Sequence, residues 1–217
     1  MNNTSCFELA RKTLAVATLW LCCGSVVFAG QMPTNALMHE SFQQFDQNLN
    51  GGWRILQLQR DYLGAADAIL GYMSKHSADL KTWQMASLAF HLGHVYALMD
   101  DRADAIHWFK KSLSYHAMGN PAYVEGFIAF LQNDKPALIA DRHTVATTNL
   151  GPWQAADLKE MDVMIEYFGA PFEAAWGALN CLELAAEADP QWADFCRAVS
   201  KKYHDVYSQH FAASHSK

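Results

Sequence analysis

From Trp53 onward, apolar residues recur at helical spacing in segments rich in Ala, Leu, Met and Gln. Runs of β-branched residues alternating with period two are missing, so the pattern predicts an all-α chain. Polar breaks fall at "QRD" near 60, "SKHSAD" near 77, "MDDR" near 100, "HAMGNP" near 118 and "QNDKP" near 134. Further breaks follow at "TNLGP" near 150, "FGAP" near 170 and "EADP" near 189. The pieces between them are helices of roughly 10 to 20 residues joined by short turns, the pattern of stacked antiparallel helix pairs. Residues 30–50 are polar and end in Gly51-Gly52, which predicts a loosely ordered lead-in with a short helix around Ala36 to Phe45.

The start of the chain follows a different rule. Arg11 and Lys12 precede an apolar run from Leu14 through Cys23, and Val27 and Ala29 stand where small residues precede a cleavage site. Residues 1–29 therefore read as a cleaved secretory signal. The apolar run is short for a retained membrane anchor, which needs about 20 residues. The bulky Trp20-Leu21 before Cys22 argues against lipidation there. The expectation is an exported protein, periplasmic or secreted, with no integral membrane span after cleavage. About 188 residues remain, enough for one well-cored domain.

Export changes what the cysteines mean. The mature chain keeps only Cys181 and Cys196, and two cysteines in an oxidising compartment favour one disulfide over two buried thiols. The stripe Phe172, Ala175, Trp176, Leu179, Leu182 predicts one amphipathic helix. Trp192, Phe195, Val199, Tyr203, Val206 or Tyr207, and Phe211 predict another. Asp189-Pro190 turns the chain between them, with Asp as cap and Pro as first helical residue. Cys181 and Cys196 then stand at similar height in an antiparallel hairpin, where a disulfide could staple the two helices. Residues 151–213 are expected to form this C-terminal hairpin and cap.

The region 51–150 is internally similar. "FDQNLNGGWRILQLQRDYLGAADAILGYM", "SLAFHLGHVYALMDDRADAIHWFKKSL" and "PAYVEGFIAFLQNDKPALIADRH" each end one helix in a polar turn and open a second. Ala65, Ala105 and Leu138 occupy matching inner positions, forty and then thirty-three residues apart. Leu92, Gly93, Tyr96, Ala105 and Phe109 sit at the spacing Leu-Gly-x2-Tyr…Ala-x3-Phe, and on these residues the middle unit resembles a tetratricopeptide repeat. Ala89 and Ala117 stand where that pattern has Trp and Pro. "WRILQLQRDYLGAADAI" and "YFGAPFEAAW" are also similar to small bacterial repeat proteins without an assigned function.

The resemblance implies an α-solenoid whose first helices line a concave groove for a protein or peptide partner. Carried over position by position, the groove face is Phe90, His94, Ala97 and Leu98 in the middle unit. Tyr123, Phe127, Phe130 and Leu131 follow in the next unit, and Arg54, Gln57 and Leu58 in the first.

Charge and chemistry narrow the function further. The whole chain carries a formal charge of −6, with Lys and Arg scattered, so no nucleic-acid footprint is expected. Ten histidines are the compositional oddity. His91, His94 and His107 with Asp100, Asp101 and Asp104 raise the alternative of a metal- or small-ligand-binding envelope protein. Against a metal, the aspartates occupy the turn and first turn of a helix, where acids cap, and His91 and His107 are expected to face outward. Asp157, Glu160, Asp162 and Glu166 read as a solvated helix face. No H-E-x-x-H, G-x-S-x-G or phosphate loop is present, so neither an enzyme nor a cofactor is expected.

Overall fold

A computed structural model describes residues 34–117, 119–148, 151–183 and 190–214. The proposed signal, residues 1–29, and the Asp189 cap lie outside the described residues. Those described are helical, with no strand among them: α1 (Thr34–Leu37), α2 (Phe42–Phe45), α3 (Arg54–Leu58), α4 (Tyr62–Lys75), α5 (Thr82–Leu98) and α6 (Arg102–Ser114). These are followed by α7 (Pro121–Leu131), α8 (Lys135–Thr147), α9 (Gln154–Glu166), α10 (Phe172–Gly177), α11 (Pro190–Lys202) and α12 (His204–Ser214). A 3-10 turn, Gly151–Trp153, leads into α9, and Ala178–Glu183 continues α10 as a π-helix.

Neighbouring helices pack in pairs, and α3/α4, α5/α6 and α7/α8 are joined by one recurring turn. Arg60, Asp100 and Asn133 each take a left-handed conformation, with φ of 61°, 60° and 57°. The next residue in each case is an aspartate, Asp61, Asp101 or Asp134. Its N–H donates back to the carbonyl of Leu56, Tyr96 or Ala129, closing a Schellman turn. The same aspartate caps the second helix, its carboxylate accepting from the N–H of Gly64, Asp104 or Ala137. One residue thus ends a helix and starts the next, so the two must run antiparallel.

Within the middle pair, a Cβ on Gly93 would stand 2.8 Å from the Phe109 ring, so glycine sets how closely α5 and α6 approach. Ala105 is fully buried beside it, and Phe109 is wedged 5.5 Å from Phe90 and 5.2 Å from Phe127. At the equivalent place in the next pair, a Cβ on Gly126 would strike Met161 of α9. That contact brings the C-terminal region onto the repeats.

The lead-in is better ordered than the sequence suggests. In place of one helix around Ala36 to Phe45 it forms α1 and α2, and Leu37 and Phe45 are buried. Phe45 stacks on Tyr72 at 3.9 Å. The cause is a polar residue: Asp46, fully buried, accepts from Trp53 Nε1 at 3.2 Å, Ser87 Oγ at 2.8 Å and Gln47 Nε2 at 2.6 Å. A buried carboxylate must be satisfied, and satisfying it pins the lead-in to α5.

The C-terminal helices return to the start. The α10 helix packs on α5, α9 and α11, and α11 also reaches α3. Cys181 and Cys196 are bonded, with Cα atoms 5.4 Å apart. Tyr207, buried, takes the inward place that either Val206 or Tyr207 could have held. Loss of the disulfide, which closes 15 residues of chain, is expected to remove about 2–3 kcal/mol of stability. A thermal melt with and without reductant checks this, the expected fall being about 5–10 °C.

Candidate functional site

Between the three pairs and the C-terminal helices lies a cavity of about 750 Å3. The recurring turn fixes which positions face it. Residues eleven before the capping aspartates are Asn50, Phe90 and Tyr123, and those seven before are Arg54, His94 and Phe127. Of these six, all but Phe127 line the cavity, joined by Leu49, Trp53, Gln57, Leu58 and His91 from the repeat side. The C-terminal region contributes Trp153, Glu160, Trp176, Asn180 and Trp192. Four of the chain's seven tryptophans therefore meet at one place.

The expected groove face is divided by this arrangement. Arg54, Gln57, Leu58, Phe90, His94 and Tyr123 face the cavity. Phe127, Phe130 and Leu131 are buried. Phe172 of α10 stands 5.8 Å from Phe127 and 6.0 Å from Phe130, covering both rings. Leu98 and Ala97 are buried as well.

One wall is a fixed polar array. Arg54 donates from Nη1 to the Asp46 carbonyl and from Nη2 towards His91 Nε2 at 3.3 Å. Arginine has only donors, so His91 Nε2 accepts and the ring proton sits on Nδ1, 2.7 Å from Asp46 Oδ1. The guanidinium also lies 4.3 Å over the Trp53 ring. Burial alone would raise the Asp46 carboxyl, but His91, Arg54 and Ser87 together hold it far below the ordinary carboxylate range. His91 is thus turned inward and committed to Asp46 and Arg54, contrary to its expected outward position, whereas His107 is exposed. Among the described residues no group of three or more His, Cys, Asp or Glu side chains could hold a metal ion. Asp101 and Asp134 spend their carboxylates on caps, and Asp100 pairs with Arg102.

The opposite wall is acidic and aromatic. Trp153, Asp157 and Glu160 fall on one face of α9 and of the turn leading into it. Glu160 Oε2 accepts from the Tyr123 hydroxyl at 2.5 Å. Burial pushes the Glu160 carboxyl up to about 7, with nearby Asp157 adding to the rise and the Tyr123 hydrogen bond opposing it. This corrects the reading of the α9 carboxylates as a wholly solvated face. Asp162 does lie outward, paired with Arg142 at 2.8 Å.

Between the walls stand His94 and Trp176, with ring centroids 4.3 Å apart and edge to face. His94 Nε2 and Trp176 Nε1 are buried without a hydrogen-bond partner among the described residues. Burial drives the His94 imidazole down to about 3, so it stays neutral at physiological pH. Each unmet polar atom costs about 1–3 kcal/mol, an expense more usual at a binding site than in a purely structural core.

The tryptophans, Asn180, Glu160 and His91 went unrecognised in the sequence as parts of one site. The available signal was the tryptophan count, which says nothing of convergence. No protein family model, curated protein or solved structure matches this chain.

Proposed function

We propose that this protein is an exported, tetratricopeptide-like binding protein whose concave side, roofed by the C-terminal helices, receives a small organic molecule. The observation that carries the reading is the cavity itself, about 750 Å3 and lined by six aromatic residues with a few fixed polar groups. That size and lining are typical of small-molecule sites. Two buried polar atoms left unmet in its wall, on His94 and Trp176, support it.

The disulfide accords with an oxidising compartment. Among the described residues no helix is long and apolar enough to cross a membrane. The solenoid-like reading rests on the recurring turn and on the Gly93–Phe109 fit.

A second reading keeps the partner protein: a side chain of that partner enters the same pocket. Leu49 and Trp153, 69% and 75% exposed in the pocket lining, favour it, since apolar residues on a rim suit a larger docking body.

Uptake of the neutral dye N-phenyl-1-naphthylamine, read by its fluorescence, tests the pocket. One saturable site is expected, weakened about ten-fold or more, about 1.4 kcal/mol, in a Trp176→Ala variant with unchanged circular dichroism. Absence of uptake by the folded protein would remove the small-molecule reading.

A further inference from the structure

Resting on the pocket reading above, we propose that the ligand carries an organic ammonium group, held among the aromatic residues with Glu160 as its counter-ion.

The argument is an account of charge around the pocket. Among the described residues, Arg54 is the only Lys or Arg in the lining. Both its terminal nitrogens are engaged, on the Asp46 carbonyl and on His91, and its charge faces the fully buried Asp46 carboxylate. His91 is held by Arg54 on one nitrogen and by Asp46 on the other, so neither ring nitrogen is free for a ligand. His94 stays neutral in its apolar surroundings. The Asp46–Arg54 pair is therefore closed, and the charge left over is acidic.

That charge belongs to Glu160, with Asp157 one turn earlier on the same face. The groups around Glu160 are Tyr123 from α7, Asp157 from its own helix, Trp176 and Asn180 from the α10 segment, and across the cavity Arg54, His91 and His94. Among the described residues Glu160 has one hydrogen bond, from Tyr123 to Oε2, and none to Oε1. A carboxylate beside tryptophans and a tyrosine, with a free oxygen, suits a cation whose charge is spread over carbon. The aromatic rings attract it, and no extra hydrogen bonds are required.

Other ligand classes fit less well. An anion would meet Glu160, and would have to draw Arg54 away from His91 and the Asp46 carbonyl. A sugar would need many free polar partners, yet Arg54, His91 and one oxygen of Glu160 are already committed.

The test compares choline with 3,3-dimethylbutan-1-ol, its uncharged carbon analogue of the same shape, by quenching of tryptophan fluorescence in the exported, disulfide-bonded protein. At pH 8, where Glu160 is ionised, choline is expected to bind at least ten-fold more tightly than the alcohol. The preference should shrink towards pH 5, as Glu160 takes up its proton, and should vanish in Glu160→Gln. The pH series on the unaltered protein serves even where the variant folds poorly. Equal affinity for the two compounds, uptake of neither, or a preference that persists in folded Glu160→Gln overturns the inference. Dye uptake in the same preparation separates the two failures. With dye bound and no choline preference, the pocket stands and the cation falls; with no dye bound, the pocket reading itself falls.

Discussion

Replacing Asp46 by alanine is expected to cost about 3–5 kcal/mol of folding stability and to loosen one wall of the pocket. The carboxylate is fully buried and accepts from Trp53, Ser87, His91 and Gln47. Its removal leaves three of those donors, on Trp53, Ser87 and His91, in a poorly hydrated place, and an unmet buried group loses its full hydration. Arg54 would keep its carbonyl contact but lose the opposing charge.

The pH dependence has a definite sign. The folded carboxyl lies far below its ordinary 3.8. Asp46 therefore contributes stability that is fully present above about pH 4 and fades as the pH falls towards the folded value. Chemical denaturation of wild type and Asp46→Asn from pH 7 to pH 3 checks both points. The variant should be weaker at neutral pH, and the gap should narrow with acid. A gap that widens with acid would contradict this account.

Replacing Glu173 by alanine is the second large effect, at about 3 kcal/mol. Glu173 Oε1 accepts from Arg60 Nη2 at 2.7 Å and from the Tyr62 hydroxyl at 2.5 Å. Its Oε2 accepts from Lys202 Nζ at 2.5 Å and from the Tyr203 hydroxyl at 2.8 Å. The carboxylate is 2% exposed, but Arg60 and Lys202 are 31% and 49% exposed. Those two cations can turn to water when the acid is lost, so the cost lies at the lower end for a broken buried pair.

The position matters beyond energy. Glu173 ties the turn before α4 to α10 and α11, across more than a hundred residues of chain on one side. Trp176 lies one turn further along α10. Glu173→Ala should therefore lower the melting temperature by about 6–12 °C and weaken dye uptake together. Glu173→Gln, which keeps an acceptor, should recover part of both. Unchanged dye affinity in a destabilised Glu173→Ala would show that α10 holds its place without the clasp.

Local features were legible in the sequence wherever their cause was local. The spacing of Leu92, Gly93, Tyr96, Ala105 and Phe109 encodes the meeting of α5 and α6, because a glycine on one helix and an aromatic on the next decide how near they come. The breaks at "QRD", "MDDR" and "QNDKP" each contain the aspartate that closes one helix and caps the next. The pairing of Cys181 with Cys196 followed from their placement about a two-helix turn.

Legibility ended where a partner came from far along the chain. His91 has the spacing of an outward residue, and Asp46 and Arg54, 45 and 37 residues earlier, turn it inward. Glu160 sits among acids that look like a solvent face, and Tyr123, 37 residues earlier, makes it part of a pocket wall. Phe127 and Phe130 have the spacing of groove residues, but Phe172 of α10 packs over them.

By itself, then, the sequence determined the helical class, the pairing of α3 to α8, the turns within those pairs and the disulfide. Each depends on periodicity, a cap or steric fit within one helical hairpin. The tertiary structure alone decided that the C-terminal helices and α3, α5 and α7 line one cavity, that four tryptophans converge there, and which charges cancel and which remain. Those outcomes depend on how α9, α10 and α11 dock onto the repeats, through contacts such as Met161 on Gly126 and Glu173 on Arg60. Docking of that kind is set by surface fit between distant segments, on which the spacing of residues within any one of them is silent.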